Sequence, residues 1–358
     1  MTLVTYDLIV NDKAFRSFVY HRIAKEIGKP QYCFPSTFPL LYRYRSLSEY
    51  AVSDIINDRI TLSAIGGFND LYDGTIPLHG TAEQRKSEVQ KSLNELFGPE
   101  DSIGESCIDL YNEYKKSIEK SVKRDSRARF RFVDYMGMYV CCFSESCDST
   151  LMWAHYADSN KGICIEYDFN QLPCQHSYRN MIFPVAYSVS PVMVNDLLSQ
   201  EKNKEYKYSL DAGILCASLN KSSIWEYERE WRILFGSLSD NIKVQRIEIK
   251  ALIKPISICF GFHFMKSFFH YGGKDGDNKI ELYTNLLKLF EYMKKESITA
   301  KVMMPQVGSF ILIPIVVRID DLINIVSEYC QAGKPKEMRF YHLAQDRLLD
   351  ILEENTHA

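Results

Sequence analysis

Residues 225–235 read Trp-Glu-Tyr-Glu-Arg-Glu-Trp-Arg-Ile-Leu-Phe, and this alternation describes a strand with one aromatic and one charged face. With a side-chain period of two, Glu226, Glu228, Glu230 and Arg232 share one face, and Trp225, Tyr227, Trp231, Ile233 and Phe235 share the other. Same-face neighbours on a strand stand roughly 6.5–7 Å apart. Three carboxylates in such a row call for a ligand, a metal or open water. A half-buried strand with a solvated acidic side satisfies the same pattern, so the segment alone leaves both readings open.

The chain around it has 358 residues, 46% hydrophobic and 13% aromatic, the composition of an ordered protein with a large core. No Pro/Gly/Ser-rich linker divides it, which predicts one large domain with helical additions rather than two independent units. A formal charge of −3 excludes a uniformly basic nucleic-acid binder but not a local basic face. That face is sought at residues 113–131, where eight Lys/Arg meet three acids. On a helix these charges spread around the surface, and solvation accounts for them as well as phosphate does. Ten cysteines without a Cys-x-x-Cys pair, and eight scattered His, give no zinc spacing. The N-terminal residues lack the basic and apolar regions of a secretory signal, so the cysteines are expected to be reduced and the protein cytoplasmic. The longest apolar run, 310–317 with Pro314 inside it, is too short to span a bilayer.

Periodicity and punctuation predict helices over 12–28, 46–59, much of 80–135, 192–208, 280–297, 319–331 and 337–354. Strands are expected over 40–45, 60–65, 138–143, 163–168, 183–188, 244–249 and 255–260, with a turn-rich loop at 66–74. Ser149 or Thr150 caps a short helix carrying Met152, Trp153 and Tyr156, and Gly162 is expected to close it as a left-handed cap. Strands interspersed irregularly with helices indicate an α+β fold.

Four constellations have chemical potential. Tyr42-Arg43-Tyr44-Arg45 puts two guanidiniums on one strand face and two tyrosines on the other, suited to a phosphate and a stacked ring or to an edge strand with solvated arginines. Phe68-Asn69-Asp70-Leu71-Tyr72-Asp73 offers two carboxylates and an amide, which equally form turns. Ser144 ends a strand where a helix N-terminus converges, and Trp153, His155 and Tyr156 sit on that helix, at spacings that also suit a core. The fourth is the acidic strand itself.

Together with Cys142-Phe143-Ser144, Met152 to Ala157, Gly162-Ile163-Cys164 and residues 227–232, these motifs resemble the bacterial family known as domain of unknown function 2971, over about residues 40–265. Leu71 stands where that family usually has proline. More remotely, the layout is similar to ADP-ribosyltransferases of the DarT type, which modify DNA. That resemblance implies a split β-sheet core over 40–265, a helical extension over 1–39 and a mainly helical addition over 266–358. It implies NAD as co-substrate, with Arg43 or Arg45 holding the NAD phosphates or ribose beside Tyr42 and Tyr44. Ser144 takes the polar strand-end position, Trp153, His155 and Tyr156 the ring-binding helix, Glu230 the catalytic position and Glu228 the acceptor-orienting one. The resemblance further implies a nucleic-acid or protein acceptor and a toxin or phage-defence setting.

A carboxylate suits this reaction because cleavage of the nicotinamide bond passes through an oxocarbenium-like state whose positive charge it stabilises. No metal is required. Two further readings stay open: a metal-dependent nuclease or phosphohydrolase in which Asp70, Asp73, Glu166 and the acidic strand gather Mg²⁺, and a non-catalytic ligand-sensing or protein-binding module.

Overall fold

The apolar and alternating stretches become strands because each hides one face in a shared core. A computed structural model describes residues 37–70, 72–74, 76–77, 99–104, 129–130, 138–173, 181–190, 218–236, 246–251, 253–264, 278–331 and 348–353, with residues 87, 90, 94, 108, 111–112, 115–116, 179 and 346. In chain order the elements are β1 (Leu41–Arg45), α1 (Glu49–Ile56), β2 (Arg59–Ala64), β3 (Ile76–Pro77), β4 (Arg129–Phe130), β5 (Met138–Ser144) and α2 (Thr150–Tyr156). There follow β6 (Ile163–Tyr167), β7 (Ile182–Pro184), β8 (Ala186–Ser188), β9 (Asn220–Ser222), β10 (Glu230–Gly236), β11 (Arg246–Lys250) and β12 (Ser257–Phe260). The last are α3 (Asn278–Lys295), β13 (Thr299–Pro305), β14 (Leu312–Val317) and α4 (Ile319–Gln331). The expected helices at 12–28 and 192–208 lie outside the described residues, as do most of 80–135 and of 337–354.

Ten strands form one mixed sheet in the order β11-β2-β5-β1-β6-β12-β13-β14, with β10 pairing β5 and β7. The fold is therefore α+β around one large sheet. β5 is the hub. One edge runs beside β10 from Met138 to Ser144, while the other is shared, pairing with β2 at Tyr139 and Val140 and with β1 at Ser144. β1 and β2 thus fork apart. Arg43 fills the wedge by donating to the Thr61 carbonyl at 2.7 Å, and Arg45 by pairing with Asp54 of α1 at 2.6 Å.

Along β1 the side chains alternate, so Leu41 joins the main core with α1 while Tyr44 faces α2 in a satellite cluster with Trp153, Cys164, Cys259 and Met303. Ser48 caps α1, accepting from the Ala51 N–H, and Ser149 caps α2 through the Met152 N–H. Helix α1 packs on α3, and α3 on α4. Cys141, Cys164 and Cys259 are buried free thiols. Among the described residues no helix is long and apolar enough to cross a membrane.

Two sequence expectations need correction. After residue 265 the described residues are mostly helix but add two strands that the sequence analysis did not expect: α3 carries the chain from β12 to a parallel β13, and β14 pairs antiparallel with β13. β14 occupies most of the apolar run 310–317, and Pro314 is tolerated there because, among the described residues, one edge of β14 forms no ladder. The strand expected at 183–188 is two strands in different sheets, broken at Val185, whose N–H donates to the Glu230 carbonyl at 2.8 Å.

Gly162 is not a left-handed cap either. Asp158, Ser159 and Asn160 carry the positive φ angles, of 48°, 55° and 65°. Gly162 instead lets two backbones approach, since a Cβ there would lie 2.2 Å from the Arg45 carbonyl oxygen and 2.9 Å from Ala157. Backbone cannot step aside as a side chain can. Gly162→Ala is therefore expected to cost at least about 2 kcal/mol, read as a lower urea midpoint, and an unchanged midpoint would contradict the close approach.

Candidate functional site

Register places a polar belt across five strands. Glu230 lies opposite Ser144, Ser144 opposite Tyr42, Tyr42 opposite Glu166, and Glu166 opposite Ser257. Directly opposed residues project to the same face, here the one facing α2. At the Glu166 end the carboxylate accepts from Tyr42 at 3.1 Å, from Lys301 at 2.7 Å and from the Ser257 hydroxyl.

The Glu230 end is the denser one. The expected strand over 225–235 begins only at Glu230: residues Ser223–Glu228 form a 3-10 turn, and Arg229 adopts a left-handed φ of 42°. Consequently Glu226 is exposed, while Glu228 and Glu230 converge on one lysine. Lys221 of β9 donates to Glu228 at 2.5 Å and to Glu230 at 3.1 Å. β8 lies parallel to β9 with Tyr187 opposite Lys221, and the Tyr187 hydroxyl accepts from the Glu230 N–H at 2.8 Å.

Arg232, fully buried, closes the other side. Its Nε and Nη2 donate to Glu230 at 2.8 and 3.0 Å, and its Nη1 and Nη2 donate to Asp73 at 2.7 and 2.6 Å. Nη1 also donates to the Ser218 carbonyl at 2.6 Å, and the guanidinium lies 5.7 Å from the Phe68 ring centroid. Glu228 is reached from the half-buried side by Tyr156, whose hydroxyl donates to it at 2.6 Å and lies near the Asn69 side chain.

Charge separates the two glutamates. Three carboxylates (Asp73, Glu228, Glu230) meet two cations (Lys221, Arg232), leaving one negative charge in excess. Burial favours the neutral form of Glu230, but the Arg232 guanidinium and the Lys221 ammonium outweigh it and hold this carboxyl at about 2. For Glu228 burial prevails: Lys221 opposes it, the Glu230 charge reinforces it, and the carboxyl rises above its ordinary value. Burial also opposes the Lys221 charge, yet Glu230 and Glu228 raise its pKa overall. Burial and charge thus drive the two carboxyls in opposite directions, a division that acid–base sites use.

The other expected site residues are dispersed. Ser144, fully buried, positions rather than binds, donating to the Glu228 carbonyl at 2.7 Å. Trp153 is core, with its indole N–H on the Cys147 carbonyl at 2.8 Å and its ring edge-on to Tyr44. Tyr44 is buried and donates to the Ser146 carbonyl at 2.8 Å, and Tyr42 is taken up by Glu166. Arg43 and Arg45 lie on the opposite face of β1, engaged with Thr61 and Asp54. His155 is exposed beside the Tyr156 ring.

Lys221 was the residue hardest to anticipate. A lysine followed by two serines reads as solvated, and only the β8–β9 pairing turns it inward. Of the carboxylates of the Mg²⁺ reading, Asp73, Glu228 and Glu230 converge, but on Arg232 and Lys221, and Glu166 lies three strands from Glu230, roughly 14 Å at about 4.8 Å per strand. Among the described residues no group of three or more His, Cys, Asp or Glu is placed to hold a metal ion.

Neither a curated protein nor a solved structure matches the chain. Residues 152–233, which include most of α2, the β8–β9 pair, Lys221, Glu228, Glu230 and Arg232, match the family described as "Protein of unknown function (DUF2971)".

Proposed function

We propose that this chain is an NAD-dependent ADP-ribosyltransferase, or an NAD glycohydrolase where water is the acceptor. The observation that carries this reading is the buried glutamate pair on Lys221, with its carboxyls driven in opposite directions and one negative charge in excess. The resemblance assigns catalysis to Glu230. The geometry favours exchanging the roles, because Glu230 is already neutralised by Arg232 and Lys221 whereas Glu228 is the carboxyl whose proton can move.

In the proposed reaction the C–N bond between ribose and nicotinamide breaks, and nicotinamide departs neutral with the bonding electron pair. The excess negative charge stabilises the oxocarbenium that remains. An acceptor oxygen or nitrogen then bonds to the same carbon, and its proton passes to Glu228. Tyr156, half-buried beside Glu228, orients the Glu228 carboxylate and gives the ring of the substrate a surface, whereas Arg43 and Arg45, expected on the NAD phosphates or ribose, lie on the opposite face of β1.

The test is incubation of purified protein with NAD and, in separate arms, DNA, RNA or protein acceptors, following nicotinamide release with and without chelator. Release that persists in chelator is expected. Absence of release in every arm overturns the reading, and chelator-sensitive cleavage of nucleic acid without NAD would replace it with the nuclease.

A further inference from the structure

Asp70 is 5% exposed, and its two carboxylate oxygens fare differently. Oδ1 accepts from the Tyr72 N–H at 2.9 Å, the usual local turn of an aspartate. Oδ2 is buried and has no hydrogen-bond partner among the described residues. An orphaned carboxylate oxygen is costly, and proteins retain such groups where something else supplies the donor.

The loop that holds it is anchored to the glutamate cluster on both sides. Before Asp70, Phe68 lies near the Arg232 guanidinium and the Asn69 side chain lies near the Tyr156 hydroxyl. After it, the Asp73 N–H donates to the Asp70 carbonyl at 3.3 Å while the Asp73 carboxylate grips Arg232. Asp70 is thus fixed between two contacts to the cluster, yet its carboxylate makes no hydrogen bond to the cluster's described residues. The cations of the cluster are engaged by Asp73, Glu228 and Glu230. What Oδ2 lacks is a donor from outside.

We propose that Asp70 Oδ2 is a substrate-binding acceptor of the Glu228 site, kept free for a hydrogen-bond donor on the dinucleotide: a ribose hydroxyl or the nicotinamide amide N–H. The inference rests on the NAD reading above and adds a binding residue to it. Asp70 makes this contact in ground and transition states alike, so its loss weakens binding more than it slows chemistry.

The experiment compares wild type with Asp70→Asn, which keeps the acceptor for Tyr72 and removes the orphan charge. Without ligand, the variant is expected to melt at or above the wild-type temperature. With NAD, its KM is expected to rise on the order of tenfold or more, with kcat within about threefold. ADP-ribose, which has ribose hydroxyls but no nicotinamide amide, and nicotinamide alone separate the two donors by which one loses its thermal shift in the variant. A variant that melts lower and has an unchanged KM overturns the proposal, as does Mg²⁺ alone stabilising wild type but not the variant. No response of wild type to NAD defeats the NAD reading together with this donor assignment, whereas equal responses of both proteins defeat the Asp70 assignment alone.

Discussion

Arg232→Leu is expected to leave the protein largely unfolded in water. The guanidinium is fully buried and satisfies Asp73 through two bonds and Glu230 through two more, so its removal strands two carboxylates with only Lys221 nearby. Breaking one buried pair costs about 3–5 kcal/mol. Two stranded partners bring the loss to about 5 kcal/mol or more, against a total stability of about 5–15 kcal/mol for a typical domain. Arg232→Lys keeps the charge but not the planar fork that spans both acids, and belongs between the two. Urea titration followed by circular dichroism is the measurement, and an Arg232→Leu midpoint equal to wild type would show that the network does not hold the fold. The same network sets acid sensitivity. Glu230 has a folded carboxyl held at about 2, so its contribution is present above the ordinary carboxylate value and is lost as pH falls toward about 2.

Glu228→Gln has the largest expected effect on activity with the opposite effect on stability. Gln retains an acceptor for the Tyr156 hydroxyl but cannot take a proton, so nicotinamide release is expected to fall about 10²–10⁴-fold. The fold gains. Because the Glu228 carboxyl is raised, the folded state holds its proton more tightly than the unfolded chain does. Wild-type stability from this group is therefore fully present below about pH 4.3 and declines as pH rises through the raised value. Glu228→Gln removes that decline and should unfold at equal or higher urea than wild type at pH 7. Glu230→Gln, although nearly isosteric, breaks bonds to Arg232 and Lys221 and should lower the midpoint. Full turnover by Glu228→Gln would return the catalytic role to Glu230 or end the enzymatic reading.

The pattern of elements was legible wherever local chemistry decides it. Ser149 caps α2, β1, β5 and β6 fall within a residue of their alternating or apolar runs, and α4 matches its periodic stretch. The site was legible only in part. Glu228, Glu230 and Tyr156 come together as residue type suggested, but Lys221 and Asp73 reach them through β8–β9 pairing and a loop closed on Arg232, contacts between positions far apart in sequence. Strict alternation misled at Arg229, because a single left-handed residue is invisible to a period-two pattern. The arginines of β1 misled for another reason: the fork of β1 from β2 creates a polar wedge that only sheet topology reveals.

The hub position of β5 also governs how this chain comes off the ribosome. Its full-length neighbour, β10, pairs with it from Gly236 to Glu230, so that edge stays open until roughly ninety further residues have been synthesised. At about 5–20 residues per second, an apolar strand reading Met-Tyr-Val-Cys-Cys-Phe-Ser waits on the order of ten seconds without its partner. During that interval the nascent chain presents a template for pairing with other chains, making synthesis rather than the finished fold its period of greatest exposure to aggregation.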